Sequence, residues 1–196
     1  MRTIDTRHFR RGYATEDALN QTVNERELTI YAEVVDIDQV EAAAAERKRI
    51  EQWDLPTKSD VGRLRIRKID NVQMILTSKT FEEGVFGAME HNTAIIQGQW
   101  DNLRKMAVNG HYKTRLIIPF VEHPYRWEVD LYFSNKGGIS KWVKIDLEDF
   151  DLDEEIPEML PFDCKQIILS DDPNLGEADK RIIESLWEEE WNKILK

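Results

Sequence analysis

The residues best placed to do chemistry are charges spaced two apart. Arg63, Arg65 and Arg67 alternate with Leu64 and Ile66, Lys113 and Arg115 lead into Ile117, and Glu128 and Asp130 alternate with Trp127, Val129 and Leu131. Lys144, Asp146 and Glu148 sit among Val143, Ile145 and Leu147, Glu25 and Glu27 open ERELTIYAEVV, and Lys79 ends VQMILTSK. A period of two places such residues on one face of a β-strand. Guanidinium and ammonium groups bind phosphate oxygens, while carboxylates are hard ligands suited to Mg²⁺ or Mn²⁺. A strand pair with one apolar face ordinarily turns its charges to water. In a closed barrel, every second side chain would instead enter the lumen and the charged faces would converge. Burying an ion unpaired costs on the order of several kcal/mol, so converging charges must pair, be hydrated or hold a ligand. A polyphosphate with a divalent metal meets both signs.

The elements that must position these residues can be read in chain order. The clearest is a hairpin over Arg126–Asp149, with its turn at Asn135–Gly138. From Glu25, Leu28, Ile30, Ala32 and Val34 form the apolar side of a first strand. Asp38 with Glu41 reads as a capping box for a helix from Gln39 to about Trp53, stopped by Pro56. Two strands follow, GRLRIRKID and VQMILTSKTF, joined near Asp70–Asn71. Ile96, Trp100, Leu103 and Ala107 recur at helical spacing ahead of Asn109–Gly110. HYKTRLIIPFV is a further strand, and CKQIIL a short one after the acidic connector DFDLDEEIPEMLP. Ile182, Ile183, Leu186, Trp187, Trp191, Ile194 and Leu195 mark a final amphipathic helix. About seven strands with mostly antiparallel connections and three helices make this an α+β or β-barrel chain.

Composition narrows the function. The chain has 196 residues, 41% of them hydrophobic, enough for one well-buried domain or for two small ones, and we read it as one. Residues 1–22, with Arg7, Arg10 and Arg11, read as a flexible arm, and 23–196 as a single domain ending in the helix. The net charge of −11 is uneven: residues 146–196 hold 17 acids and 5 bases, and the rest is near neutral. Duplex nucleic acid is therefore a poor partner, whereas a small anionic ligand fits. The lone Cys164, and the lack of an apolar run of membrane length or a signal-peptide pattern, lead us to expect a cytoplasmic protein without membrane association. His8, His91, His111 and His123 lack metal-ligand spacing, Cys164 reads as a buried thiol, and Gly137–Gly138 is not a phosphate loop. Trp187 and Trp191 are core or partner contacts, which leaves a homodimer open.

The pattern resembles the CYTH, or triphosphate tunnel metalloenzyme, superfamily, which includes class IV adenylate cyclases, thiamine triphosphatases and inorganic triphosphatases. The resemblance covers roughly Glu25 to Leu175. Glu25-Arg26-Glu27 looks like the front of the family's ExExK signature. After it come Arg65 and Arg67, Lys79, Lys113 and Arg115, Glu128 and Asp130, and Asp146 and Glu148 in family order, with Pro161-Phe162-Asp163 leading to Asn174-Leu175. The resemblance implies a closed antiparallel tunnel of about eight strands. Arg63, Arg65, Arg67, Lys79, Lys113 and Arg115 would bind the phosphates, and Glu25, Glu27, Glu128, Asp130, Asp146 and Glu148 would hold Mg²⁺ or Mn²⁺. It implies hydrolysis of inorganic triphosphate, a nucleotide or thiamine triphosphate, or cyclisation of a nucleotide. Two positions depart from the family: Thr29 stands where the signature has lysine, and Lys144-x-Asp146 where Glu-x-Glu is usual. Glu27 and Lys144 are then the candidate catalytic pair, with Lys144 restoring the cation that Thr29 omits. The other readings are a site that only binds a nucleotide or polyphosphate, and a scaffold for protein interaction.

Overall fold

The computed structural model describes residues 22–25, 27–58, 62–81, 88–119, 126–133, 139–148 and 160–169; side chains at 22–25, 27–28, 81, 88, 148 and 166–169 are outside that description. Its elements are β1 (Thr22–Glu25), β2 (Glu27–Val34), α1 (Ile37–Ala43), β3 (Glu46–Leu55), β4 (Gly62–Ile69), β5 (Gln73–Phe81), β6 (Ala88–Ala94), α2 (Gln97–Arg104), β7 (Asn109–Pro119), β8 (Arg126–Phe133), β9 (Ile139–Glu148) and β10 (Cys164–Leu169). The class is α+β, mostly antiparallel. Of the expected arm only Thr22 is described, and the Asn135–Gly138 turn, most of the acidic connector and the final helix lie outside the described residues.

The described chain forms two compact units, one from 28–47 and 113–169, the other from 22–27 and 48–112. In the first, the strand order is β7-β8-β9-β2-β10, with β8–β9 and β2–β10 antiparallel. Its core is the apolar side of those strands: Ile30, Ala32, Val34, Leu116, Trp127, Val129, Leu131, Val143, Ile145 and Leu147 are all fully buried. Helix α1 adds Val40. Its N-cap is Asp36, whose carboxylate accepts from the Asp38 amide at 3.0 Å, so the cap lies two residues before the one expected.

In the second unit the order is β1-β6-β5-β4-β3, antiparallel throughout. No pairing among the described residues closes either order on itself. Ile69–Val72 is a β-turn closed by a 2.9 Å bond from Val72 N to Ile69 O, with positive φ at Asp70 (49°) and Asn71 (60°). These are two of the side chains that tolerate that backbone region. Asp70 is also tied to β3, its carboxylate accepting from the Arg49 amide at 2.8 Å. Helix α2 lays Trp100 against Leu55, Ile66 and Ile95, with Trp53, Leu64, Met74, Leu76, Leu103 and Ala107 around them.

The helix expected over Gln39–Trp53 is a correction: α1 stops at Ala43, Ala44 is extended, and Glu46–Leu55 is strand. The alanines and long charged residues there favour helix locally, but six register pairs with β4, Ile50 opposite Ile69 through Leu55 opposite Leu64, outweigh that preference. Strand β6 was not expected, because AMEHNTA carries no apolar alternation.

Gly110 of β7 lies against the indole of Trp53. A Cβ built there would sit 2.1 Å from a ring carbon. The ring cannot easily give way, since its N–H donates to Glu51 at 2.8 Å and the Arg104 guanidinium stacks 4.7 Å from its centroid. Gly110→Ala should therefore destabilise the fold by about 1–3 kcal/mol, read from urea denaturation; an unchanged midpoint would contradict this packing.

Candidate functional site

In the first unit, strand alternation puts Lys113 and Arg115 of β7, Glu128 and Asp130 of β8, and Lys144 and Asp146 of β9 on the face opposite the apolar core. The β8–β9 register sets Glu128 opposite Asp146 and Asp130 opposite Lys144. These charges do not face water: Lys113, Arg115, Glu128, Asp130 and Asp146 are all buried. Asp130 Oδ2 accepts from Lys113 Nζ at 2.5 Å and from Arg115 Nη2 at 3.0 Å, and its Oδ1 accepts from Arg115 Nε at 2.8 Å. Arg115 Nη1 also donates to Glu128. Asp146 accepts from Lys144 Nζ at 2.6 Å and from the Thr29 hydroxyl at 2.8 Å, with Arg115 Nη2 3.8 Å away. The Thr29 hydroxyl thus serves Asp146, and Lys144 lies beside an acid of its own strand.

Burial alone would raise the Asp130 carboxyl, but Arg115 and Lys113 outweigh it and hold the group far below the usual carboxylate range. Burial pulls the Lys113 ammonium the other way, down to about 8, with Asp130 opposing and Arg115 and Lys144 adding like charge. The asymmetry is physical: three cations surround Asp130, whereas Lys113 gains one carboxylate and lies near two cations. Tyr132, on the same face, is raised by burial and by Asp130.

The second unit carries its own charged face. Arg65 and Arg67 of β4 converge on Glu90 of β6, at 3.3 Å and 3.5 Å. Arg67 Nη2 also donates to Thr77 Oγ1 at 3.1 Å and Asn92 Oδ1 at 3.2 Å, Thr77 donates to Asn92 at 2.6 Å, and Asn92 Nδ2 donates to Glu90 at 3.0 Å. Arg67 and Glu90 are buried, while the Arg65 side chain is 27% exposed. Arg63 is exposed and half-buried Lys79 stands opposite both Arg63 and Glu90. Ile50, Ile69 and Ile75 form an apolar cluster on this same face. Thr77, Glu90 and Asn92 escaped the sequence reading. Their one signal was the two-residue spacing of Glu90 and Asn92 on a strand without apolar partners.

The metal candidates divide. Glu25 is placed opposite Ala88 by register, Glu27 is the first residue of β2 and Glu148 the last of β9, and their side chains are outside the described set. Glu128, Asp130 and Asp146 offer the hard oxygens that Mg²⁺ or Mn²⁺ prefers, but those oxygens accept from Arg115, Lys113, Lys144 and Thr29. Among the described residues, no three His, Cys, Asp or Glu side chains form a group that could hold a metal ion. The described acids do not by themselves make a metal centre.

No family model and no curated protein matches the chain. Among solved structures it is similar to the inorganic triphosphatase NE1496, 17% identical over 82% of this chain and 95% of that one, with a TM-score of 0.48. It is also similar to HpAC1 of Hippeastrum, an adenylyl-cyclase-like protein described with a dominant triphosphatase activity, 17% identical over 65% of this chain and 80% of that one at a TM-score of 0.47. Likeness at this level fixes neither family nor activity for this chain. No helix among the described residues is long and apolar enough to cross a membrane.

Removing the carboxylate charge of Asp130 leaves Lys113 and Arg115 buried without their shared acid, so Asp130→Asn should lose about 3–5 kcal/mol at neutral pH. Because the Asp130 carboxyl lies lower folded than unfolded, its contribution is complete above the ordinary value of 3.8 and is lost as pH falls below it. The variant should show a flatter acid limb in chemical denaturation; an identical limb would contradict the assignment. Lys113 acts in the opposite window: between about 8 and its ordinary 10.5 the folded state releases the proton first, so this residue's contribution to stability rises with pH. That rise should be absent in Lys113→Met.

Proposed function

We propose that this chain binds a triphosphate group, inorganic or carried by a nucleotide or thiamine, and hydrolyses or cyclises it with a divalent metal. The closed antiparallel tunnel is part of this proposal. The observation that carries it is the buried cluster on β7, β8 and β9, where Asp130 holds Lys113 and Arg115. An apolar set of similar volume is often as stable as such a buried network, which points to a use for the charges beyond holding the fold. Arg115 presents its fork to a carboxylate, and a phosphate oxygen pair has matching geometry.

In the hydrolytic form, a water oxygen bonds to the terminal phosphorus, the bridging P–O bond breaks, and the water's proton passes to Glu27. The released diphosphate carries away the electron pair. Lys113 and Arg115 of the first unit offset the charge on the phosphate oxygens, and Lys144 orients the water. Glu128, Asp130, Asp146 and Glu148 of the first unit would hold Mg²⁺ or Mn²⁺, and the ion would supply further neutralisation of phosphate charge. A small organic or inorganic triphosphate is the proposed partner, in a cytoplasmic setting.

A second reading, binding without turnover, is favoured by one contact set. Asp146 is occupied by the Thr29 hydroxyl and the Lys144 ammonium, so an acid expected to serve a metal is already neutralised.

Phosphate release, or cyclic-nucleotide formation, with Mn²⁺ should be measurable and should fall at least about 100-fold in a Glu25→Ala, Glu27→Ala double variant; full activity in that variant would contradict the hydrolytic reading. Binding alone predicts a melting temperature that rises with inorganic triphosphate concentration and no product. No shift with any triphosphate would sink both readings.

A further inference from the structure

Asp146 of β9 is an acid that a divalent ion in the first unit would have to share. It is buried, and both of its oxygens already accept: Oδ1 from the Thr29 hydroxyl at 2.8 Å and Oδ2 from Lys144 Nζ at 2.6 Å, with Arg115 Nη2 3.8 Å from that second oxygen. The Thr29 bond fixes how the carboxylate is turned, and so which oxygen meets the ammonium. An ion placed on Asp146 must first displace a cation that neutralises it. Lys144 is also the most open of the three cations around Asp130, its side chain 23% exposed against 7% for Lys113 and 9% for Arg115. An arriving anion therefore meets Lys144 before it meets the other two. Thr29, Lys113, Arg115, Asp130, Lys144 and Asp146 all belong to the first unit.

Resting on the triphosphate reading above, we infer that Lys144 bridges Asp146 to a phosphate oxygen in the place a divalent ion would take, so that this chain binds a triphosphate group without metal, whatever turnover then requires. An ammonium carries three N–H donors and no acceptor, so it can hold a carboxylate and a phosphate oxygen at once. Mg²⁺ ordinarily makes that same bridge, between one or two carboxylates and substrate phosphates. The ammonium brings one positive charge where the ion brings two, and Arg115, beside the same Asp146 oxygen, supplies the other. Ionised phosphate presents acceptor oxygens only, and charge-assisted N–H donors meet them as well as a metal does in sign and direction.

The test titrates inorganic tripolyphosphate calorimetrically into the full chain, once in EDTA and once with Mn²⁺. The parent should bind it in EDTA, and Mn²⁺ should not tighten that binding. Lys144→Met, which keeps an unbranched stem and removes the ammonium, should bind about tenfold or more weakly in EDTA, the scale of one hydrogen bond to a charged group. It should regain affinity with Mn²⁺, because Asp146 is then open to the ion, whereas Lys144→Arg should keep its binding in EDTA. An equal loss in both conditions for Lys144→Met would assign Lys144 to holding the fold and overturn the inference. The parent titrations decide the matter even where a variant does not fold. Binding by the parent only with Mn²⁺ refutes the role of Lys144 and leaves the triphosphate reading standing; binding in neither condition sinks both.

Discussion

A carboxylate with no access to water, Asp130, is the constraint on which the first unit depends. Its two oxygens accept from Lys113 and from two nitrogens of Arg115, and Arg115 extends the contact to Glu128. None of these groups could be buried alone. Desolvation penalties of several kcal/mol per ion apply unless each charge meets its opposite in good geometry, on the order of what a whole domain has to spare. The strands must therefore hold their register, since a slip of one residue would turn Lys113, Arg115, Asp130 and Asp146 into the apolar side and Val129, Leu131 and Ile145 out of it. The apolar face of Trp127, Val129, Leu131, Val143, Ile145 and Leu147 fixes the same register independently. Two demands, one apolar and one ionic, thus select a single alignment.

The second unit solves the same problem with less charge. Glu90 is shared by Arg65 and Arg67, and Thr77 and Asn92, neutral groups, accept from Arg67 without adding sign. One cation is locked while Arg65 keeps a path to solvent. The Trp53, Glu51, Arg104 and Tyr112 contacts, by contrast, form a structural knot around Gly110, where aromatic stacking and a shared carboxylate fix the start of β7.

Much of this was legible where period and turn chemistry agreed. Alternation located β2, β4, β5, β7, β8 and β9, and Asp70–Asn71 marked the tightest connection because both residues accept a positive φ. The charged faces were legible as faces, since spacing alone determines sidedness. Their burial was not, because sequence does not say what lies across from a strand. Glu46–Leu55 was misread for a related reason: its helix-forming residues are overruled by pairing with β4, a partner the local sequence does not contain. Strand β6 escaped because it holds Glu90 and Asn92 where an apolar alternation would have announced it. Thr29 was noticed as a departure, yet its bond to Asp146 required coordinates.

The central claim is that the buried cations exchange their carboxylate partners for phosphate oxygens. A crystal structure of the chain soaked with a non-hydrolysable triphosphate analogue and Mn²⁺ tests it most directly. The account predicts phosphate oxygens within hydrogen-bond distance of Arg115 and Lys113, with Asp130 released from at least one of them. Finding the analogue elsewhere, with Asp130 still holding both cations, would contradict it.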